Sequence, residues 1–290
     1  MPSAVAGILR NEPLRNHTTI RIGGPARYFA RPSTLDELKT AIAFAMDRGI
    51  PVYVISGGSD IVFPDRGFDG LVIRMDRIRG VERVDGNLVM AHAGESIPSL
   101  AILAEQWGLS GFEYLFGVPG RIGGAVAKNA GAYGLEIGDI LEEVEIVTWE
   151  GKLVRMGPED IAIRYRESDV LKYGIVYRAW FRLRHDSPQI IRRRREEFSS
   201  RRMSTQPYGV ATAGCMFKNP EGHSAGKLLD MAGMKGERRG DVMVSEKHAN
   251  FFINLGEGRS EDVLYLVDLA KKRVYEEFGI RLEEEVIILR

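Results

Sequence analysis

Apolar positions across RPSTLDELKTAIAFAMDRGIP recur at helical spacing, with Leu35, Leu38, Ile42 and Ala45/Met46 on one face. Ser33 or Thr34 is placed to cap this helix, Asp36 and Glu37 follow in its first turn, and Gly49 and Pro51 stop it. The pattern then shortens. VYVIS and GLVIRM read as buried strands around the turn GGSD. VERVDGNLVMAHAG alternates around Asp85-Gly86, and LEEVEIVTWEGKLVRM around Glu150-Gly151, both as hairpins do. A helix from about Ser96 to Trp107 lies between them and leads into a glycine-rich stretch at residues 117–134. VYRAWFRLRH continues as a strand, and SPQIIRRRREEFSSRR as a helix opened by Ser187 and Pro188. From about residue 203 the order becomes loop, short helix SAGKLLDMAG, strand NFFINL, helix 260–278 and a closing strand over 280–289. There is no internal repeat. The succession predicts an α+β protein of two or three domains, not a barrel or a doubly wound sheet.

Composition narrows the class. A chain of 290 residues is about twice the usual domain size. With 44% apolar and 28% charged residues it has an ordinary globular balance. Zero formal charge leaves no long-range pull toward nucleic acid or an anionic membrane. A single cysteine excludes an internal disulfide and suits a reducing cytoplasm. The opening MPSAVAGILRNEPLRNH lacks the features of a signal peptide, and no apolar run approaches the ~18 residues of a spanning helix. Five scattered histidines form no ligand pair at helical spacing, so no metal site is expected.

Several stretches can carry chemistry. In VISGGSDIV a strand runs into Gly57 and Gly58, whose bare N–H groups, with the Ser59 hydroxyl, suit either a pyrophosphate nest or an ordinary tight turn. FGVPGRIGGAVAKNAGAYG gathers Gly117, Gly120, Gly123, Gly124, Gly131 and Gly134 with Pro119, Asn129 and Tyr133. Its spacing is not that of a Rossmann fingerprint, and so many glycines point to backbone lying against something flat or phosphorylated. In RYRESDVLK, Arg164 and Arg166 would share one side of an extended strand, where an arginine can grip a carboxylate or simply pair with Glu167 or Asp169. The run Arg192 to Arg195, followed by two glutamates, reads better as a solvated helix face than as a nucleic-acid footprint. In RLEEEVIIL, Glu283 and Glu285 would share a strand face opposite Glu284. Cys215, in AGCMFKNP, is read from its type alone as a small buried hydrophobe.

Together these stretches resemble one family. NHTTIRIGGPA, GGSDIV, GVPGRIGGAVAKNAGAYG, RYRES, QPYGVATAGCMFKNP, AGKLLDMAGMKG, VSEKHANFFIN and RLEEEV run in the order found in UDP-N-acetylenolpyruvoylglucosamine reductases, from residue 16 to residue 286. The resemblance implies a two-subdomain FAD-binding fold of the vanillyl-alcohol-oxidase (PCMH) type plus a C-terminal α/β substrate domain. The divisions expected are 1–75 and 76–200 for the flavin subdomains and 201–290 for the substrate domain, whose last strand has the option of returning to the first subdomain. The interval from Arg166 to Cys215 is too short for the tyrosine-bearing loop of some members, so the chain resembles the shorter type.

The resemblance also implies roles. Arg166, Cys215 and Glu285 fall on the three catalytic positions, with Cys215 where serine is familiar. Ser56, Gly57, Gly58, Ser59, Asp60, Gly117, Pro119, Gly120, Gly123, Gly124, Asn129 and Gly131 fall on the cofactor loops, and Lys218, Asn219 and Tyr133 on the substrate side. Ser56 stands for a common glycine and Asp60 for a common asparagine, which puts an anion beside an expected pyrophosphate. FAD is expected without a covalent bond, with NADPH as co-substrate and UDP-N-acetylglucosamine enolpyruvate as substrate, in a cytoplasmic monomer. On this footing Cys215 becomes a general acid, Arg166 and Glu285 partners of the substrate carboxylate. Two other readings are an oxidase or dehydrogenase of the same superfamily acting on another alcohol or sugar, and a regulatory module that binds a UDP-sugar or a nucleotide. The first leaves AGCMFKNP and RLEEEV without purpose, the second the flavin loops.

Overall fold

A computed structural model describes residues 7–290. Most of the N-terminal stretch read above as lacking a signal peptide is described, but residues 1–6, which also open the expected first subdomain, lie outside the described residues. The chain divides into two compact units. In the first, residues 7–10 join Tyr28–Gly57 and Asp69–Arg201; the second comprises Asn11–Arg27, Gly58–Phe68 and Arg202–Arg290.

Helix α1, Leu35–Met46, forms in the first unit as its pattern predicts: Thr34 accepts from the Glu37 N–H, and Leu38, Ala41, Ile42 and Ala45 are buried. Parallel to one another, Val52–Ile55 and Phe68–Arg74 lie in a four-stranded sheet. An antiparallel five-stranded sheet follows, ordered Leu153–Met156, Leu141–Thr148, Gly174–Arg182, Leu88–His92, Val81–Asp85. Both expected hairpins are in it, turning at Gly86 and Gly151 with positive φ. Helix α2, Ile97–Gln106, is capped by Ser96, and α3 is the single stretch Ile122–Ala127 within the glycine-rich region. One apolar core runs through this unit, from Leu38 and Ile73 to Leu115, Ile146 and Phe181. Helix α4, Pro188–Thr205, buries only Ile191 and is held by charge: Arg192 and Arg195 clasp Glu105 of α2 at 2.7 and 2.6 Å, and Arg194 bonds Asp186 at 2.8 Å. The arginine run is thus an exposed face, as expected, that also makes ion pairs within the unit: Arg192, Arg193 and Arg194 are exposed and Arg195 is half-buried.

The second unit has its own core, including Ile20, Val62, Phe217, Leu229, Phe252, Leu266 and Val286. Its antiparallel sheet is ordered Ala211–Cys215, Phe251–Asn254, Val242–Val244, Arg238–Arg239. Helices α5, Ala225–Met231, and α6, Ser260–Phe278, accompany it, and α6 ends at Gly279 in the left-handed region. The closing segment differs from expectation. Only Ile287–Ile288 is strand, parallel to Ile61–Val62, while Glu284 makes a lone bridge to Phe217. Glu283 to Glu285 therefore do not alternate along a regular strand.

Candidate functional site

In the first unit the expected cofactor loops face each other. A Cβ on Gly124 would lie 3.1 Å from Ser56 Cβ, so the turn after Val52–Ile55 packs on bare backbone of α3. The Ser56 hydroxyl is buried there, with no hydrogen-bond partner among the described residues. A buried hydroxyl without a partner is costly, and a ligand oxygen would satisfy it. Beside bare glycine backbone, that donor suits the phosphates of a dinucleotide cofactor such as FAD. Some glycines nearby are demanded by the protein itself. Gly123 donates to the Ala93 carbonyl at 2.8 Å and has Ala93 Cβ where its own would be, and a Cβ on Gly120 would press on Ile97. Gly117 and Pro119 lie in the irregular segment before α3.

Asn129 is 2% exposed and holds φ +43°. Its amide donates to Glu136 at 2.5 Å and to the Arg164 carbonyl at 3.0 Å, and its oxygen accepts from the Gly138 N–H. The side chain expected on the cofactor is thus an internal tie. Tyr133, also at positive φ, donates its hydroxyl to the Phe198 carbonyl of α4 and stacks on the Phe198 ring, with centroids 4.5 Å apart. Arg166 is not on a strand face beside Arg164. It occupies the turn between Ile163–Arg164 and Glu167–Ser168 with φ +58°, half-buried. Three non-glycine residues at positive φ within one corner are strain of the kind retained at functional sites.

Arg121 and Glu136 were not singled out from sequence. Arg121 immediately precedes α3, in its N-cap position, and donates to the Gly94 carbonyl at 2.7 Å. Burial, then the like charge of Arg79, holds it below the ordinary arginine range. Both residues sit inside or beside the glycine stretch, and a charged group among glycines was the signal available.

The second unit assembles the remaining residues around the strand Ala211–Cys215. Its register shifts by one residue between Thr212 and Cys215, where Gly214 adopts φ +83°. Such a bulge re-aims the side chain that follows it, here Cys215, which is half-buried. Beyond it the buried Asn250 side chain fixes Phe217 through both its N–H and its carbonyl, at 2.9 and 2.8 Å. The Met216 carbonyl then accepts from the Glu285 N–H at 2.9 Å, which sets Glu285 beside the cysteine segment. Gly58 cannot carry a side chain, since a Cβ would lie 2.0 Å from the His17 carbonyl. Asp60 accepts the Ile287 N–H through its backbone at 2.9 Å, and the Ser59 carbonyl lies 3.6 Å from a Cβ position on Gly214. So Gly58, Ser59 and Asp60 converge with Cys215 and Glu285.

Neighbouring polar groups have protein partners. Lys218 meets Glu283 at 2.6 Å, Asn219 accepts from the Ala225 N–H at the start of α5, and Glu284 meets Lys271 at 2.7 Å. Burial pushes the Glu284 carboxyl up, but the Lys271 hydrogen bond and other donors hold it below the ordinary range. Among the described residues no group of histidine, cysteine and carboxylate side chains is placed to hold a metal, and no helix is long and apolar enough to cross a membrane.

Comparison with known proteins adds the following. Residues 206–289 match the family model described as UDP-N-acetylenolpyruvoylglucosamine reductase, C-terminal domain, and residues 26–157 match the FAD binding domain. A UDP-N-acetylenolpyruvoylglucosamine reductase of Aquifex aeolicus is 42% identical over 97% of this chain and 95% of its own length. That of Rubrobacter xylanophilus is 41% identical over 96% and 94%. The crystal structure of UDP-N-acetylenolpyruvylglucosamine reductase from Thermus caldophilus matches with a TM-score of 0.83 at 37% identity, covering 98% of both chains.

Proposed function

The chain belongs to the UDP-N-acetylenolpyruvoylglucosamine reductase family, and from that premise we propose how its own residues perform the reaction. It is an FAD-dependent oxidoreductase that reduces the enolpyruvyl group of UDP-N-acetylglucosamine enolpyruvate to UDP-N-acetylmuramate, with NADPH as hydride donor, in peptidoglycan precursor synthesis. The match over 206–289 displaces the reading as another oxidase or dehydrogenase of the superfamily. On this reading residues 1–75 and 76–200 form the two flavin subdomains and 201–290 the substrate domain. The enzyme acts in the cytoplasm as a monomer.

Bound FAD supplies a carrier that takes hydride from NADPH and gives it to C3 of the enolpyruvyl double bond. We assign its phosphates to Ser56, Gly57, Gly58 and Ser59, and assign Gly117, Pro119, Gly120, Gly123, Gly124 and Gly131 to the cofactor as backbone that lies close to it, where Pro119 has no N–H to donate and the Gly123 N–H is already held by the Ala93 carbonyl; any contact by Asn129 is through its backbone. Asp60, an anion in this turn, is assigned to the cofactor through its backbone as well.

As hydride reaches C3, negative charge develops at C2 and spreads onto the adjacent carboxylate. Arg166 meets that carboxylate with a planar fork, which is stronger and more specific than a point charge. Glu285, in its protonated form, donates a hydrogen bond to the same charge. Cys215 gives its proton to C2, completing the reduction. Lys218, Asn219 and Tyr133 contact the UDP-sugar, which requires their present partners to yield or share. The observation that supports these roles most is the convergence of the bulged Cys215 segment and Glu285 on Met216. The reading is tested without oxygen. NADPH should bleach the yellow protein, and the enolpyruvyl sugar should restore its colour with one product formed per flavin. Bleached protein that the sugar leaves unchanged overturns the reading.

A further inference from the structure

Glu136 is not among the residues assigned above, yet its carboxylate stands between two of them. One oxygen accepts from Asn129 at 2.5 Å, and the other lies 3.9 Å from an Arg166 guanidinium nitrogen. Its backbone is fixed at both ends: the N–H donates to Asp139 at 2.8 Å, and the carbonyl accepts from the buried Tyr114 hydroxyl at 3.0 Å. Gly131 pairs with Glu136 across a two-residue ladder. A Cβ on Gly131 would lie 2.8 Å from both Arg166 Nη1 and Glu136 Cγ, so both side chains cross its bare backbone. Asn129 also binds the Arg164 carbonyl, at the root of the turn that bears Arg166.

Resting on the reading that Arg166 acts on the substrate carboxylate, we infer that Glu136 is a positioning residue, which aims the Arg166 guanidinium through the Asn129–Glu136 pair. An arginine on a strained turn has many rotamers to lose, and a fixed carboxylate at one edge of its fork selects among them. An ion pair of this length between half-buried partners contributes little to folding. A misplacement of about 1 Å at a reacting group costs up to about 100-fold in rate. Glutamine at this position keeps an oxygen to accept from Asn129, so the effect of removing the charge belongs in the rate and not in the stability.

The test is a double-mutant cycle on FAD-loaded enzyme, with Glu136→Gln, Arg166→Ala and both together. Bleaching by NADPH, reoxidation by the enolpyruvyl sugar, and melting temperature are each followed. Glu136→Gln should leave bleaching and melting within the wild-type range and slow reoxidation about tenfold. In the Arg166→Ala background it should add nothing, because there is no guanidinium left to aim. Titration of UDP-N-acetylmuramate, followed by calorimetry, gives a second readout: the product should bind more weakly to Glu136→Gln and to Arg166→Ala alike. If Arg166→Ala slows reoxidation and Glu136→Gln does not, the inference falls while the role of Arg166 stands. It also falls if Glu136→Gln slows reoxidation equally with or without Arg166, or slows bleaching as much as reoxidation. If Arg166→Ala itself leaves reoxidation unchanged, the assignment of Arg166 fails instead.

Discussion

The Glu285 N–H donates to the Met216 carbonyl at 2.9 Å, so the carboxylate on the last segment is anchored one residue beyond Cys215. A group held this way can lend a hydrogen bond to charge that forms only during reduction. Glu285→Ala should slow reoxidation of reduced enzyme about 10²–10³-fold. Glu285→Gln, which still donates, should lose about tenfold less. Glu284 meets Lys271, and Glu284→Ala should stay within about twofold of wild type. Stopped-flow reoxidation checks all three, and equal loss in the two Glu285 variants contradicts the donor role.

Arg166→Lys keeps the charge but loses the planar fork. Flavin reduction by NADPH should remain near normal, while the second half-reaction falls about 10²-fold. Single-turnover measurement of each half separates the two. Equal losses would make Arg166 a structural residue.

Ser56 gives a prediction with opposite signs in two states. Its buried hydroxyl has no partner among the described residues, so Ser56→Ala should stabilise the apoprotein by about 1 kcal/mol. The same change should weaken FAD binding by about 10-fold, since a hydrogen bond to a charged group is lost. Melting of the apoprotein and flavin titration give the two signs. An apoprotein destabilised by Ser56→Ala would mean that the hydroxyl serves the fold.

Much of this was legible along the chain. The ends of α6 follow from residues 260 to 278 alone, because an amphipathic run closed by Gly279 is a local signal. The Cys215 and Glu285 segments were visible as motifs. What stayed hidden was long-range. That Arg166 turns at positive φ depends on Asn129 holding Arg164 from 35 residues away. The short Ile287–Ile288 strand depends on a partner at Ile61–Val62, and the clamp of Arg192 and Arg195 on Glu105 of another helix. Periodicity carries no information about such partners.

Asp76 illustrates the same point in stability. It is 1% exposed and is bonded by Arg31 through both oxygens at 2.7 Å and by Arg74 at 2.8 Å. Burial pushes its carboxyl up, but the Arg31 hydrogen bond and Arg74 hold it below its ordinary 3.8. A depressed carboxylate stabilises the fold above its unfolded value and loses that contribution as pH falls through the folded one. Asp76→Ala should cost about 3 kcal/mol near neutrality, leaving two arginines without their carboxylate. Below about pH 3.8 the gap between variant and wild type should narrow, as denaturant melts at several pH values would read. A gap that widens in acid contradicts the pairing.

The central claim is that the Cys215 thiol supplies the proton to C2, and the pH profile of the second half-reaction tests it most directly. A thiol ordinarily titrates near about 8.5, and only its S–H form can donate. Reoxidation of the reduced wild type by the enolpyruvyl sugar should therefore fall on the alkaline side. Cys215→Ser should be flat across the same range, and Cys215→Ala should bleach with NADPH yet form product about 10²–10⁴-fold more slowly. A wild type alkylated at Cys215 that forms product at the full rate, or a Cys215→Ser variant with the same alkaline fall, would contradict it.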